Sequence, residues 1–151
     1  MELADVLSKK AIVFSLEGHN KKQVIRELLQ ALYRTGKITD VNQALNDVMA
    51  RESHLSTGME NGLAVPHAKS DAVKELCVAF GLHHEGLEYE SLDGKPVHFI
   101  FLVLSPRDTS GPHIQALARI SYTLKEKRIR DELAKAKTTD EIHSILTAGH
   151  F

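Results

Sequence analysis

Apolar residues recur along this chain at two spacings, and the places where the spacing changes mark its elements. Ile12 to Leu16 is a short β-prone run closed by Gly18, which predicts an opening strand. Asn20 then suits a helix N-cap, and Val24, Leu28, Ala31 and Leu32 repeat at helical spacing as far as Thr35, where Gly36 stops the helix. Asp40 caps a second helix in the same way. Its Ala44, Leu45, Val48 and Met49 form one face and carry Arg51 to the C-terminal end. Leu76 to Leu82 has little polar alternation, as a strand covered on both faces does. Gly86 to Ser91 predicts a short edge strand, and Asp93-Gly94 a tight turn. Val97 to Leu104 is the strongest strand pattern and belongs in the middle of a sheet; Ser105-Pro106 ends it. From Ser110 to Leu124 a helix follows, with Pro112 at its first position and Ile114, Leu117, Ala118, Ser121 and Leu124 on its inward face. Helices over Arg128 to Lys135 and Asp140 to Leu146 close the chain. Strands alternating with helices, without repeats or low-complexity linkers, predict an α/β sandwich.

Length and charge narrow the setting. At 151 residues the chain fits a single domain, 1–151, with a true core. The formal charge of −1 is spread rather than blocked, which argues against nucleic acid or an anionic membrane as partner. The longest apolar run, Phe99 to Leu104, is far short of the roughly 20 residues that a membrane span requires. A lone Cys77 forms no internal disulfide and no secretory leader pattern is visible, so a cytoplasmic location is expected.

Candidate chemistry concentrates in residues 51–69. Pro66 fixes its own φ and drives Val65 toward extended geometry, which sets His67 at a strand end with its ring outward. Gly58 and Gly62 allow the preceding loop to turn its N–H groups toward an anion, alongside the Ser56 and Thr57 hydroxyls. Arg51 offers a planar fork suited to phosphate. His113, in the first turn of its helix, sits where the dipole favours an anion. A neutral imidazole is a competent nucleophile at pH 7, and phosphoryl transfer asks mainly for donors around the equatorial oxygens. These residues together point to a phosphorylated histidine at position 67.

The segments Arg51-Glu52, Ser56-Thr57-Gly58, Asn61-Gly62-Leu63-Ala64-Val65-Pro66-His67-Ala68-Lys69 and Gly111-Pro112-His113-Ile114-Gln115-Ala116-Leu117-Ala118 resemble the type 2 enzyme IIA domain (fructose/mannitol/nitrogen-regulatory) of the phosphoenolpyruvate-dependent phosphotransferase system. The resemblance runs along nearly the whole chain. It implies a mixed β-sheet sandwiched by helices, and a phosphotransferase component that accepts a phosphoryl group from phospho-HPr on His67, at the ring nitrogen remote from the main chain. It further implies transfer to a IIB domain of a sugar permease, with His113 and Arg51 stabilising the phosphoryl group and no cofactor or metal. Glu52, Ser56 and Thr57 are the weaker members of the expected site. One departure is visible: nitrogen-type members commonly carry Gly-Ile-Gly after the Ser-Thr pair, whereas this chain reads Gly58-Met59-Glu60, placing a carboxylate in the anion loop. The alternative is a regulatory module whose docking depends on His67 phosphorylation.

The remaining histidines read as ordinary. His54 is near Arg51 only in sequence, His83 and His84 should face opposite sides of a strand, and His19, His98, His143 and His150 are structural or exposed. Cys77 reads as a small buried apolar residue. A metal centre is disfavoured because His67 and His113 lack helical ligand spacing and no cysteine pair supplements them.

Overall fold

A computed structural model describes residues 2–148. A short 3₁₀ turn, Leu3–Asp5, leads into β1 (Leu7–Val13), then α1 (Lys21–Arg34), α2 (Val41–Glu52), β2 (Leu63–Ala64), β3 (His67–Lys69), β4 (Cys77–Leu87), β5 (Val97–Ser105), α3 (Gly111–Lys125), α4 (Lys127–Lys135) and α5 (Thr139–Thr147). The strands form one mixed sheet in the order β1-β4-β5-β2, with β3 continuing the β2 edge beside β5. β4 and β5 are antiparallel, while β1 runs parallel to β4, and β2 and β3 run parallel to β5.

The central pair explains the layering. Cys77 to His83 and Phe99 to Ser105 are buried at successive positions, so both faces of the sheet are covered. α1 and α2 pack on each other and reach β1, β4 and β3, whereas α3, α4 and α5 form a second group against β5 and β1. The two groups share no substantial contact and cover opposite faces. One hydrophobic cluster runs through all of them. At Gly81 an added Cβ meets the Leu16 side chain at 2.7–2.9 Å, so this strand position admits the close approach of the β1–α1 connection only as glycine.

Two helix starts follow the predicted caps, Asn20 and Asp40, and a third cap, Thr138, was not anticipated. Asn20 accepts from Gln23 N at 2.9 Å, Asp40 from Gln43 N at 3.0 Å and Thr138 from Glu141 N at 3.1 Å, each bond stabilising its helix by about 1 kcal/mol. Three expectations are corrected. The opening strand is Leu7–Val13, not Ile12 to Leu16: it begins before the exposed Lys9-Lys10 pair that masks it, and the pairing with β4 is irregular between Leu7 and Ile12. The separate edge strand at Gly86 to Ser91 does not form, because β4 continues through an irregular stretch to Leu87, with Gly86 at φ +93°. On α3 the inward residues are His113, Ala116, Ile120, Thr123 and Leu124, while Ile114 is 64% exposed.

Candidate functional site

His67 is the first residue of β3 and is half-buried. Its neighbour Pro66 has no N–H, and the Pro66 carbonyl accepts from Val103 N at 3.0 Å, which registers the strand start against β5. The ring's Nδ1–H donates to the Val65 carbonyl at 2.8 Å. A carbonyl only accepts, so the bond fixes the tautomer and leaves the Nε2 lone pair free. Burial lowers the ring's proton affinity below the ordinary imidazole value. The Val65 bond and Glu52 act upward, and Arg51 acts downward. The free ring is therefore neutral at pH 7.

β5 ends beside it. Ser105 lies 2.6 Å from Nδ1 of His113, which stands in the first turn of α3, nine-tenths buried. The His67 and His113 rings meet edge to face, with centroids 5.5 Å apart and planes at 64°. Burial above all, then His67 and Lys69, push the His113 pKa down to about 4, so this ring too is uncharged at neutral pH. The N-cap of α3, Ser110, makes no side-chain cap; its hydroxyl accepts from Lys69 Nζ at 3.0 Å. The positive end of a 15-residue helix thus opens beside the two rings.

Arg51, in the last turn of α2, completes the group. One guanidinium nitrogen donates to the Leu55 carbonyl at 2.9 Å, and the side chain lines a pocket of about 370 Å³ together with His67, His113, Lys69, Arg107 and Asp47. A neutral nucleophile, a second imidazole, a helix start and three cations around one open pocket suit a doubly charged tetrahedral anion.

The weaker candidates lie elsewhere. Glu52 is buried and accepts from Thr57 N at 2.8 Å, from the Thr57 hydroxyl, from Tyr89 OH at 2.9 Å and from Lys21 Nζ at 3.3 Å. Ser56 donates to the Tyr89 carbonyl at 2.7 Å and accepts from Gly58 N at 3.1 Å. The donors expected to cradle the phosphate are thus turned into this buried network, which fixes the loop after Arg51, and none of the three side chains lines the His67 pocket. Asn61 and Gly62, both at positive φ, turn the chain from that loop into β2. Glu60 is exposed, and so is His54. His83, buried, donates from Nε2 to the Gly18 carbonyl and His84, exposed, to that of Phe14; His98 bonds the His83 carbonyl and His143 that of Leu7. His150 lies outside the described residues. Among the described residues no group of histidine, cysteine and carboxylate side chains has metal-binding geometry, and no helix is long and apolar enough to cross a membrane. Lys69, Arg107, Asp47 and Ser105 were not singled out by sequence. The signal for Lys69 was its position two residues past His67, on the same side of the strand.

With this geometry the family can be stated. Residues 5–149 match the model of the phosphoenolpyruvate-dependent sugar phosphotransferase system, EIIA 2, and the chain belongs to that family of phosphoryl carriers. Among individual relatives it is 36% identical over 146 residues to the fructose-specific EIIABC component of Bacillus subtilis, matching 97% of this chain but spanning only 23% of that longer protein. It is 32% identical to the fructose-specific EIIA component of Haloferax volcanii, covering 83% of this chain and 82% of the relative. Nitrogen regulatory protein IIA-Ntr from Neisseria meningitidis has a similar structure, with TM-score 0.88 and 30% identity over 96% of this chain and 99% of that one. The enzyme IIA chain from Escherichia coli solved in complex with phosphorylated mannitol enzyme IIB shares the fold, with TM-score 0.81 at 18% identity over 95% of this chain and all of that one.

Proposed function

We propose that His67 is the residue that carries the phosphoryl group, taking it from phospho-HPr and passing it to a IIB domain. The observation that supports this most directly is the Nδ1–H bond to Val65, which presents Nε2 as an unprotonated nucleophile toward the cationic pocket. Nε2 forms the new N–P bond as the N–P bond of the donor's protonated phosphohistidine breaks, and the donor ring departs with that electron pair as a neutral imidazole. No proton needs to leave His67, because its hydrogen stays on Nδ1, donated to the Val65 carbonyl, and the phosphorylated ring takes up the positive charge. The transition state is loose, with its charge on the equatorial oxygens, so stabilising donors are what the protein supplies. Arg51 is the charged donor. For His113 we assign the Ser105 hydroxyl as donor to Nδ1, which leaves an Nε2–H for a phosphoryl oxygen. Transfer onward repeats the step with His67 as leaving group.

Incubation with phosphoenolpyruvate, enzyme I and HPr, followed by intact-mass measurement, tests the reading. Wild type gains one phosphoryl mass and His67→Ala gains none. His113→Ala still gains it, about 10²-fold more slowly, as removal of one preorganised donor predicts. Equal labelling of His67→Ala sinks the assignment.

The likeness to a nitrogen regulatory protein supports a second reading, in which the phosphorylation state of His67 selects the docking partner. A phosphoryl group adds about −1.5 to −2 of charge at the site. Pull-downs with His67→Asp against His67→Ala separate the readings: partners outside the permease that discriminate between the two favour regulation.

A further inference from the structure

Arg107 has no part in the transfer just described, yet it lines the same pocket as His67, His113, Arg51 and Lys69. It follows Pro106 on the turn between β5 and α3. Its Nε lies 3.1 Å from Asp71 Oδ1 and its Nη2 3.6 Å from Asp47 Oδ1. These two partners differ in kind. The Asp71 side chain is 78% exposed, so its hold on the guanidinium is screened by water. Asp47 is 17% exposed and fixed, accepting from the Ser70 hydroxyl at 2.6 Å and from Gln43 Nε2 at 3.1 and 3.2 Å. Arg107 itself is 55% exposed and lines the pocket between these two partners and His67.

A phosphoryl group on His67 changes that balance. It brings a dianion close to the fixed Asp47 carboxylate, which repels it, while the exposed Asp71 offers the guanidinium less than a partly desolvated phosphate does. Resting on the reading of His67 as the phosphoryl carrier, we infer that Arg107 is a further phosphoryl-binding residue, leaving Asp71 to contact an equatorial oxygen on His67 Nε2 while screening Asp47. In the bare state the two aspartates hold it at the pocket mouth.

The test uses potassium phosphoramidate as a small phosphoryl donor, so that no protein docks, with loading and titration followed by ³¹P NMR. Arg107→Gln slows loading of His67 about fivefold and raises the pH midpoint of the phosphohistidine resonance by about half a unit, because losing an adjacent cation disfavours the dianion. Asp71→Asn, at an exposed position where folding is not at stake, acts in the opposite direction and speeds loading about twofold by releasing Arg107 from its resting partner. Wild type that fails to load from both phosphoramidate and phospho-HPr overturns the reading of His67 itself. Wild type that loads, with Arg107→Gln unchanged in rate and midpoint, overturns only the role of Arg107. So does a defect confined to the phospho-HPr reaction, which assigns Arg107 to docking, or an Asp71→Asn variant that loads no faster.

Discussion

At the scale of single residues, the site depends on keeping two imidazoles uncharged by different means. His67 must expose a lone pair, and the Val65 carbonyl secures this by holding the proton on the other nitrogen. That bond alone favours the charged ring; burial, the larger effect, overrides it. The folded-state pKa of His67 therefore lies below the ordinary 6.5. Protonation removes the nucleophile, so loading is lost as pH falls through the folded pKa, and at pH 6.5 more than half of the maximal rate should remain. Initial rates of phosphoramidate loading across pH 5–8 check this, and a midpoint above 6.5 contradicts it. His113 is neutral for a simpler reason, being packed at the base of α3 against Ser105 and beside a second ring.

At the scale of elements, the link that matters is the C-terminal end of α2, where Arg51 faces the pocket and Glu52 faces the core. Burial and the neighbouring carboxylate push the Tyr89 hydroxyl well above its ordinary pKa, so it remains a hydrogen-bond donor to Glu52. Lys21 of α1 closes the network, contacting Glu52, Ser56 and Glu90 and lying 4.7 Å above the Tyr89 ring. Glu52→Gln keeps the volume but turns one acceptor oxygen into a donor amide facing other donors. The expected cost is on the order of 2–3 kcal/mol of stability in urea melts. Phosphoryl loading should also slow, because the loop that presents the Leu55 carbonyl to Arg51 is loosened. Unchanged melts would show the network to be dispensable.

The same element explains what could be read in advance. α1 and α2 were legible because a cap and a periodic apolar face coincide, and β5 because its apolar run is uninterrupted. α3 was misphased because polar His113 and Thr123 occupy inward positions while Ile114 faces out, which reverses the usual signal. The histidine pair and Arg51 were legible as a motif. The true positions of Ser56 and Thr57 were not, since the Tyr89 residue that anchors both comes from a segment more than 30 residues away. Arg107 was hidden for a related reason: only the pairing of β3 with β5 brings the turn after β5 to His67.

At the scale of the molecule, the outward Ile114 becomes informative. It is 64% exposed one residue beyond His113, and Tyr122, two helical turns along α3, is 52% exposed. Leu55, 70% exposed, sits on the loop whose carbonyl holds Arg51. With His67 as the proposed phosphoryl carrier, exposed apolar side chains on the elements that carry Arg51 and His113 suit a partner that must dock and leave. Ile114→Ala should raise the KM for phospho-HPr several-fold while leaving phosphoramidate loading and the melting temperature unchanged. Equal effects with both donors would place Ile114 in the chemistry rather than in docking.

The whole fold also registers the neutral site in its acid response. His113 has a folded pKa of about 4 against an ordinary 6.5, so between those values the unfolded chain binds more protons than the folded one. Stability must then fall as pH drops through this window, by an amount on the order of 3 kcal/mol from this ring. His67, shifted in the same direction, adds to the loss. Above about pH 7 both rings are neutral in either state and contribute no slope. Replacing His113 by Asn, which keeps a hydrogen-bonding group near Ser105 but cannot be protonated, should flatten the curve between pH 6.5 and 4. Urea melts of the two proteins at pH 7.5 and 5 give the comparison. If the asparagine variant loses as much stability on acidification as wild type, the acid sensitivity arises elsewhere and His113 is not held neutral by its burial.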